Sequence, residues 1–323
     1  MKLIYALTLP LFLCAIFTPL SEGKDRFSSP VEIIFHVEDE NGDPVKGATV
    51  EGYFWSPYTH DAVGDEFNLR TDEEGNCLVR GKGYSSIAGV VQADGYYRTE
   101  FNISLGDKNV AREAGYWSLQ ETAVILKGIR NPISMYAKRV VVDIPEQNTP
   151  IGFDMEKGDW VMPYGKGSVS DFNVSYATQQ EAVHQYAKEM VFSVPTPYGG
   201  FVVKKLDEFS TFVSDYDAPT DGYVIEYSFE QKRSPEQIQV HKANRDNEYF
   251  AVRTRVVTND VGEIISANYS KIYGPIQYAL WRNQKYLEFI YYFNPTPNDR
   301  NLEFDPQQNL FGKLPSGEAV YKP

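Results

Sequence analysis

Apolar and polar positions alternate in short runs along most of this chain. Val31, Ile33, Phe35 and Val37 fall on one side of a period of two, with Glu32, His36 and Glu38 on the other. That is the pattern of a strand with one buried face. Asp39-Glu40-Asn41-Gly42-Asp43-Pro44 interrupts it with an Asn-Gly pair suited to positive φ in a tight turn. Val45 to Val50 then leads into the aromatic run Gly52-Tyr53-Phe54-Trp55. Thr71-Asp72-Glu73-Glu74-Gly75-Asn76 is a second turn of the same kind, entering Cys77-Leu78-Val79, and the runs Ile87–Val91 and Ala123–Leu126 add further strands.

The pattern continues beyond the connector Gly128-Ile129-Arg130-Asn131-Pro132. Strands are predicted at 139–144, 190–194, 200–203, 222–229, 249–256 and 286–293, with a hairpin across 256–265. Thr178–Lys188 has helix-forming composition and is expected to be a short helix. Strands at this spacing without intervening helices predict an all-β chain of two β-sandwich domains, 24–136 and 137–323. The connector is short and holds a proline, so the two are expected to pack against each other.

The first residues follow a different pattern. Lys2 precedes an apolar run from Leu3 to Leu20, and Ser21 and Gly23 place small residues where a signal peptidase cuts. Residues 1–23 are therefore expected to be a cleaved signal peptide. An uncleaved anchor and a lipidated Cys14 are the competing readings. The expected location is exported: periplasmic, cell-surface or secreted, with no membrane span after cleavage. Cleavage would leave Cys77 as the sole cysteine, so a mature chain would rely on apolar cores and not on disulfides.

Composition narrows the partners. Asp and Glu number 44 against 31 Lys and Arg, a net charge of −13 that repels phosphate backbones, so no nucleic-acid partner is expected. The 23 Tyr, 19 Phe, 24 Gly and 19 Pro suit many short strands and tight turns.

Two resemblances follow from particular residues. Val37-x-Asp39-x-x-Gly42-x-Pro44-Val45-x-Gly47-Ala48-x-Val50, then Thr71-Asp72-x-x-Gly75 and Ala93-x-Gly95-Tyr96, resembles the carboxypeptidase regulatory-like, or transthyretin-like, β-sandwich domain. This resemblance implies a small Greek-key sandwich of structural or adhesive use, with no active-site residues to carry over. The strings 152–160, 163–167, 267–274 and 294–305 resemble the C-terminal region of exported bacterial proteins of unknown function. That resemblance implies no activity.

Chemistry finds little support. Neither H-E-x-x-H, H-x-H nor CxxC occurs, so no metal site and no cofactor are expected. Asp39-x-Asn41-x-Asp43 starts like a calcium loop, but Pro44 and Val50 stand where that loop needs Gly and Glu. Gly83-Tyr84-Ser85-Ser86 lacks the second glycine of a nucleophile elbow, and Gly165-Lys166-Gly167-Ser168 fails as a phosphate loop. The segment 157–167 is the candidate binding loop. Trp160 and Tyr164 would offer flat faces to a sugar ring, and Asp159 and Lys166 polar contacts. The competing reading has Trp160 anchoring that loop to the core. The sequence thus points to a non-catalytic exported protein for adhesion, assembly or ligand binding, its partner an extracytoplasmic protein or glycan. The alternative is a carbohydrate-active enzyme or sugar-binding protein with its site in the second domain.

Overall fold

A computed structural model describes residues 28–323 apart from 57–62, 183–184, 208, 235–237, 242–246 and 282–283. The leader expected at residues 1–23 lies outside the described residues, as do His60 and His184.

The chain is all-β, as the alternation predicts. Its N-terminal part contains β1 (Ser29–Asp39), β2 (Thr49–Trp55), β3 (Val63–Arg70), β4 (Asn76–Gly83), β5 (Ser86–Gln92), β6 (Thr99–Ser104) and β7 (Gln120–Leu126). These form two sheets, ordered β4-β1-β7 and β3-β2-β5-β6, with β7 parallel to β1. Val31, Ile33, Phe35 and Val37 are all buried, so the alternating face of β1 supplies the floor of this sandwich. One helix, α1 (Lys108–Ala114), covers its end; Asp107 caps it and Gly115 closes it with φ of 80°. The sequence signals for α1 are that Asp and that Gly, flanking too few apolar positions to show a helical period.

The predicted turns have one design. Asp39 accepts the amides of Asn41 and Asp43, and Asp72 those of Glu74 and Asn76. Asn259 does the same for Val261 and Glu263 in a later hairpin. In each, a glycine three residues on takes positive φ (Gly42 84°, Gly75 75°, Gly262 83°), where a Cβ would be strained. Three hydrogen bonds thus occupy Asp39 in its own turn, and they hold its carboxyl below the usual range, the Asp43 amide contributing most.

The C-terminal part begins with β8 (Tyr136–Asp143), β9 (Ile151–Asp154), β10 (Asp159–Trp160), β11 (Phe172–Ala182) and β12 (Gln185–Ser193). It continues through β13 (Gly200–Lys205), β14 (Glu226–Arg233), β15 (Ile238–His241), β16 (Glu248–Thr258), β17 (Ile264–Trp281) and β18 (Gln284–Asn294). A six-stranded sheet, β10-β9-β11-β12-β14-β15, and a five-stranded one, β13-β16-β17-β18-β8, share a core of aromatic rings. Phe153 alone meets Trp160, Phe172, Phe289 and Tyr291 with centroids 5.3–6.0 Å apart. Each such side chain stabilises the fold by roughly 1.5–3 kcal/mol through burial.

The expected helix at Thr178–Lys188 is instead the end of β11 and the start of β12, paired with Thr178 opposite Lys188 and Gln180 opposite Tyr186. Its Gln, Glu and Ala residues favour a helix in isolation. However, Val174, Tyr176, Met190 and Phe192 are buried in alternation just beside them, and the ladder those residues start runs on through the segment.

Candidate functional site

The loop singled out in the sequence is tied to the core. Trp160 is 3% exposed, donates from Nε1 to the Asp143 carbonyl at 2.9 Å, and meets Phe153 edge-on at 5.5 Å. The Asp159 carboxylate accepts the amides of Trp160 at 2.8 Å and Lys166 at 3.0 Å, closing the loop on itself. Lys166 therefore contributes its backbone to the loop, and Gly165 fits because a Cβ there would lie 2.4 Å from the Trp160 carbonyl. Of the four predicted residues only Tyr164 offers part of a ring to solvent, and a hydrogen bond to Glu146 raises its pKa. The indole face expected to stack on a sugar is packed inward.

Below this loop lies a buried ionic cluster. The Asp154 carboxylate, 1% exposed, receives the amides of Glu156, Lys157, Ser168 and Val169. Asp171 receives the Met155 amide at 2.7 Å and the Arg255 guanidinium through Nε at 2.7 Å, while Glu156 also pairs with Arg255. Burial pushes the Asp171 carboxyl up against the opposing pull of Arg255. These oxygens are committed to amides and to one guanidinium, so the cluster holds the loop and leaves no carboxylate poised for acid–base work.

Two further candidates among the described residues, His36 and Cys77, are also occupied or buried. His36 Nδ1 lies 2.7 Å from Asn76 Oδ1 and Nε2 3.6 Å from Glu121, so its neighbours are an amide and a carboxylate. Cys77 is buried, and burial pushes its thiol above the ordinary range, with Asp72 adding to the effect. Among the described residues, no group of three or more His, Cys, Asp or Glu could hold a metal ion. No helix among them is long and apolar enough to cross a membrane.

A different place gathers binding features that the sequence reading missed. Strands β6 and β7 are the free edges of their sheets, held together at one end by Tyr97 N–H donating to the Lys127 carbonyl at 2.8 Å. At the other end Gln120 Nε2 donates to the Leu105 carbonyl at 2.9 Å. Between these closures the edges part around a cavity of about 360 Å³, lined by Phe101, Ile103, Val124 and Ile125. Asp207, Phe209 and Ser210 of the C-terminal part form one wall, with Phe209 53% and Ile125 56% exposed. Lys127 crosses the vertex, its Nζ donating to the Ser214 carbonyl at 2.8 Å and pairing with Asp207 at 3.2 Å. Another cavity, of about 320 Å³ at the tip of β11, β12 and β14, is lined mostly by long polar chains such as Glu181, Gln185, Lys232 and Arg233, without an apolar floor.

Behind the vertex, the two parts of the chain meet through buried polar groups. Glu303, 1% exposed, accepts the Tyr97 hydroxyl at 2.7 Å and the amides of Arg130 and Asn131 at 2.9 and 2.6 Å. Lys271 is fully buried, its Nζ 3.1 Å from Ser214 Oγ and within 4.8 Å of the ring centroids of Phe212, Tyr273 and Tyr292. Burial drives its pKa well below the ordinary lysine value, and the charge of Lys127 adds to this. These contacts make the groove wall a fixed surface. The sequence signal was faint: Tyr97, Lys127 and Glu303 are far apart in the chain, and only the Gly95-Tyr96 turn marks the place.

No family model matches the chain, and no curated protein matches it. Among solved structures, it is similar over 32% of its length to a chlorocatechol 1,2-dioxygenase from Pseudomonas putida, at 15% identity and a TM-score of 0.26. A 3-chlorocatechol 1,2-dioxygenase from Rhodococcus opacus 1CP matches over 34%, at 10% identity and a TM-score of 0.27. The matched part spans 62% and 64% of those two enzymes. An assumed carbohydrate-binding protein from Bacteroides uniformis ATCC 8492 aligns with 80% of this chain and 95% of its own, at 7% identity and a TM-score of 0.18. Likenesses at these values say nothing about site or substrate.

Proposed function

We propose that this chain is a non-catalytic binding protein of two packed β-sandwich domains, working outside the cytoplasm, whose recognition site is the groove between β6 and β7. The groove itself carries this reading: an apolar floor, exposed Ile125 and Phe209 on its rim, and a wall contributed by the other part of the chain. An exported location is supported by the apolar leader in residues 1–23 and by the single buried thiol that remains after it. The resemblance of residues 37–96 to the carboxypeptidase regulatory-like module supports a structural or adhesive use. With Trp160 packed inward, the sugar-binding alternative in the second domain loses its stacking face.

The test is a methyl-resolved NMR screen of the full chain against small aromatic and aliphatic fragments and oligosaccharides. Shifts clustered on the methyls of Ile103, Val124 and Ile125 are expected. Responses confined to other surfaces, or none, would overturn the assignment of the site. Sequencing the N-terminus of exported protein checks the leader, since a retained Met1 contradicts cleavage.

A further inference from the structure

We propose that the groove binds an extended peptide from another protein, which adds as a strand to the free edge of β6; this rests on the groove being the binding site. The chain itself already shows the mode of binding. Residues 209–211 lie antiparallel along the start of β6: Glu100 N–H donates to the Phe209 carbonyl at 2.7 Å, and Thr211 N–H to the Arg98 carbonyl at 2.9 Å. Thr99 and Ser210 face each other between these bonds as an isolated bridge. The outer edge of β6 therefore accepts a strand, and it does so through its even-numbered residues.

The addition stops early. Asp207 does not extend this pairing: its N–H bonds to the Val213 carbonyl. The same alternation turns the amide and carbonyl of Asn102 outward, and among the described residues no backbone group of 207 or 209 reaches them. An incoming strand that continues this ladder finds its main-chain partners at Asn102. Its inward side chains fall on Phe101, Ile103 and Val124, and its outward ones between Ile125 and Phe209. A cavity of about 360 Å³ holds a few side chains of an extended segment, and its fixed walls leave no room for a globular surface. Strand addition of this kind draws affinity from main-chain bonds and specificity from alternate side chains. The occupant is thus a segment alternating apolar and polar residues. Exposed Glu100 beside the edge and the net charge of −13 favour one carrying Lys or Arg.

The experiment is selection of a random decapeptide library on the immobilised full chain, then fluorescence polarisation with the enriched peptides. Enriched sequences are expected to alternate apolar and polar residues. N-methylation at every second residue should weaken them about tenfold or more in one frame and hardly at all in the other. Asn102→Pro removes one outward N–H while sparing the bonds to β5, and should cost a similar factor at unchanged thermal unfolding. Ile125→Arg, at an exposed position, serves as a second variant should the proline perturb the strand. Equal sensitivity in both frames, full binding to both variants, occupation of the groove by a second copy of the chain, or no enrichment would overturn the proposal. Fragments seating in the groove while peptides do not would sink strand addition and leave the site assignment standing.

Discussion

Arg255, partly buried, and Lys271, fully buried, are two basic side chains that the fold treats in opposite ways. Arg255 lies among Asp171, Glu156 and Asp154, its guanidinium within 3.6 Å of all three carboxylates. Lys271 is fully buried yet has a hydroxyl and three aromatic rings for company. Arginine cannot shed its proton at accessible pH, so burying it requires compensating charge. Lysine can, so burial lowers its pKa and favours the uncharged amine. The first cluster fixes a loop within one pair of sheets; the second lies where the two pairs meet. The difference predicts which contacts are indispensable and which are replaceable.

The largest effect belongs to the charged cluster. Asp171→Ala deprives Arg255 of its fully buried partner and removes the acceptor of the Met155 amide. A loss of about 3–5 kcal/mol in urea unfolding is expected. A loss below about 1 kcal/mol would mean that Glu156 and Asp154 compensate and that the cluster is redundant.

A smaller effect is expected where the two parts meet. Tyr97→Phe removes one of three bonds to Glu303, a carboxylate that is 1% exposed, and should cost about 1–3 kcal/mol. If Tyr97 also sets the closure of the groove, hydrogen exchange should quicken at Lys127 and along β7, and remain unchanged around Arg255. Glu156→Gln comes next. Its side chain is 31% exposed and Arg255 keeps two other carboxylates, so the cost should stay near 1 kcal/mol or less. A cost matching that of Asp171→Ala would make the two carboxylates equivalent and undo the ranking by burial.

The sequence made much of the sheet structure legible and little of these clusters, for a physical reason. Strand alternation is local, so the buried face of β1 and the turns at Asp39, Asp72 and Asn259 follow from neighbouring residues. Trp160 illustrates the limit. Its loop showed Gly, Pro and aromatic residues equally suited to a binding face or an anchor, and only the distance to Asp143 and Phe153 decides for the anchor. The helix expected at 178–188 failed because pairing between strands outweighs intrinsic preference. The groove was invisible because it is made by two strand edges and a segment more than eighty residues away. Lys271 follows the same rule. In the run Tyr269-Ser270-Lys271-Ile272-Tyr273 the lysine is buried because Phe212 and Ser214, from a segment distant in the chain, pack over it.

The smallest expected effect is the most informative about the comparison. Lys271→Met keeps the length of the side chain, stays among Phe212, Tyr273 and Tyr292, and removes the amine that must be desolvated. At neutral pH stability should change by no more than about 1 kcal/mol, and in either direction. The pH dependence gives the sign. In the folded state the pKa of Lys271 is lowered, so between that value and about 10.4 the unfolded chain binds more protons than the folded one. This contribution makes the wild type gain stability as pH rises through that window. Ser214, Lys127 and Glu303, the polar and charged groups around the amine, are present in both proteins, so subtracting the Met variant isolates Lys271. The difference between wild type and variant should move in favour of wild type from pH 7 towards 10, read by urea unfolding at each pH. A flat difference, or one of opposite sign, would show that burial does not lower the pKa of Lys271, and the contrast with Arg255 would collapse.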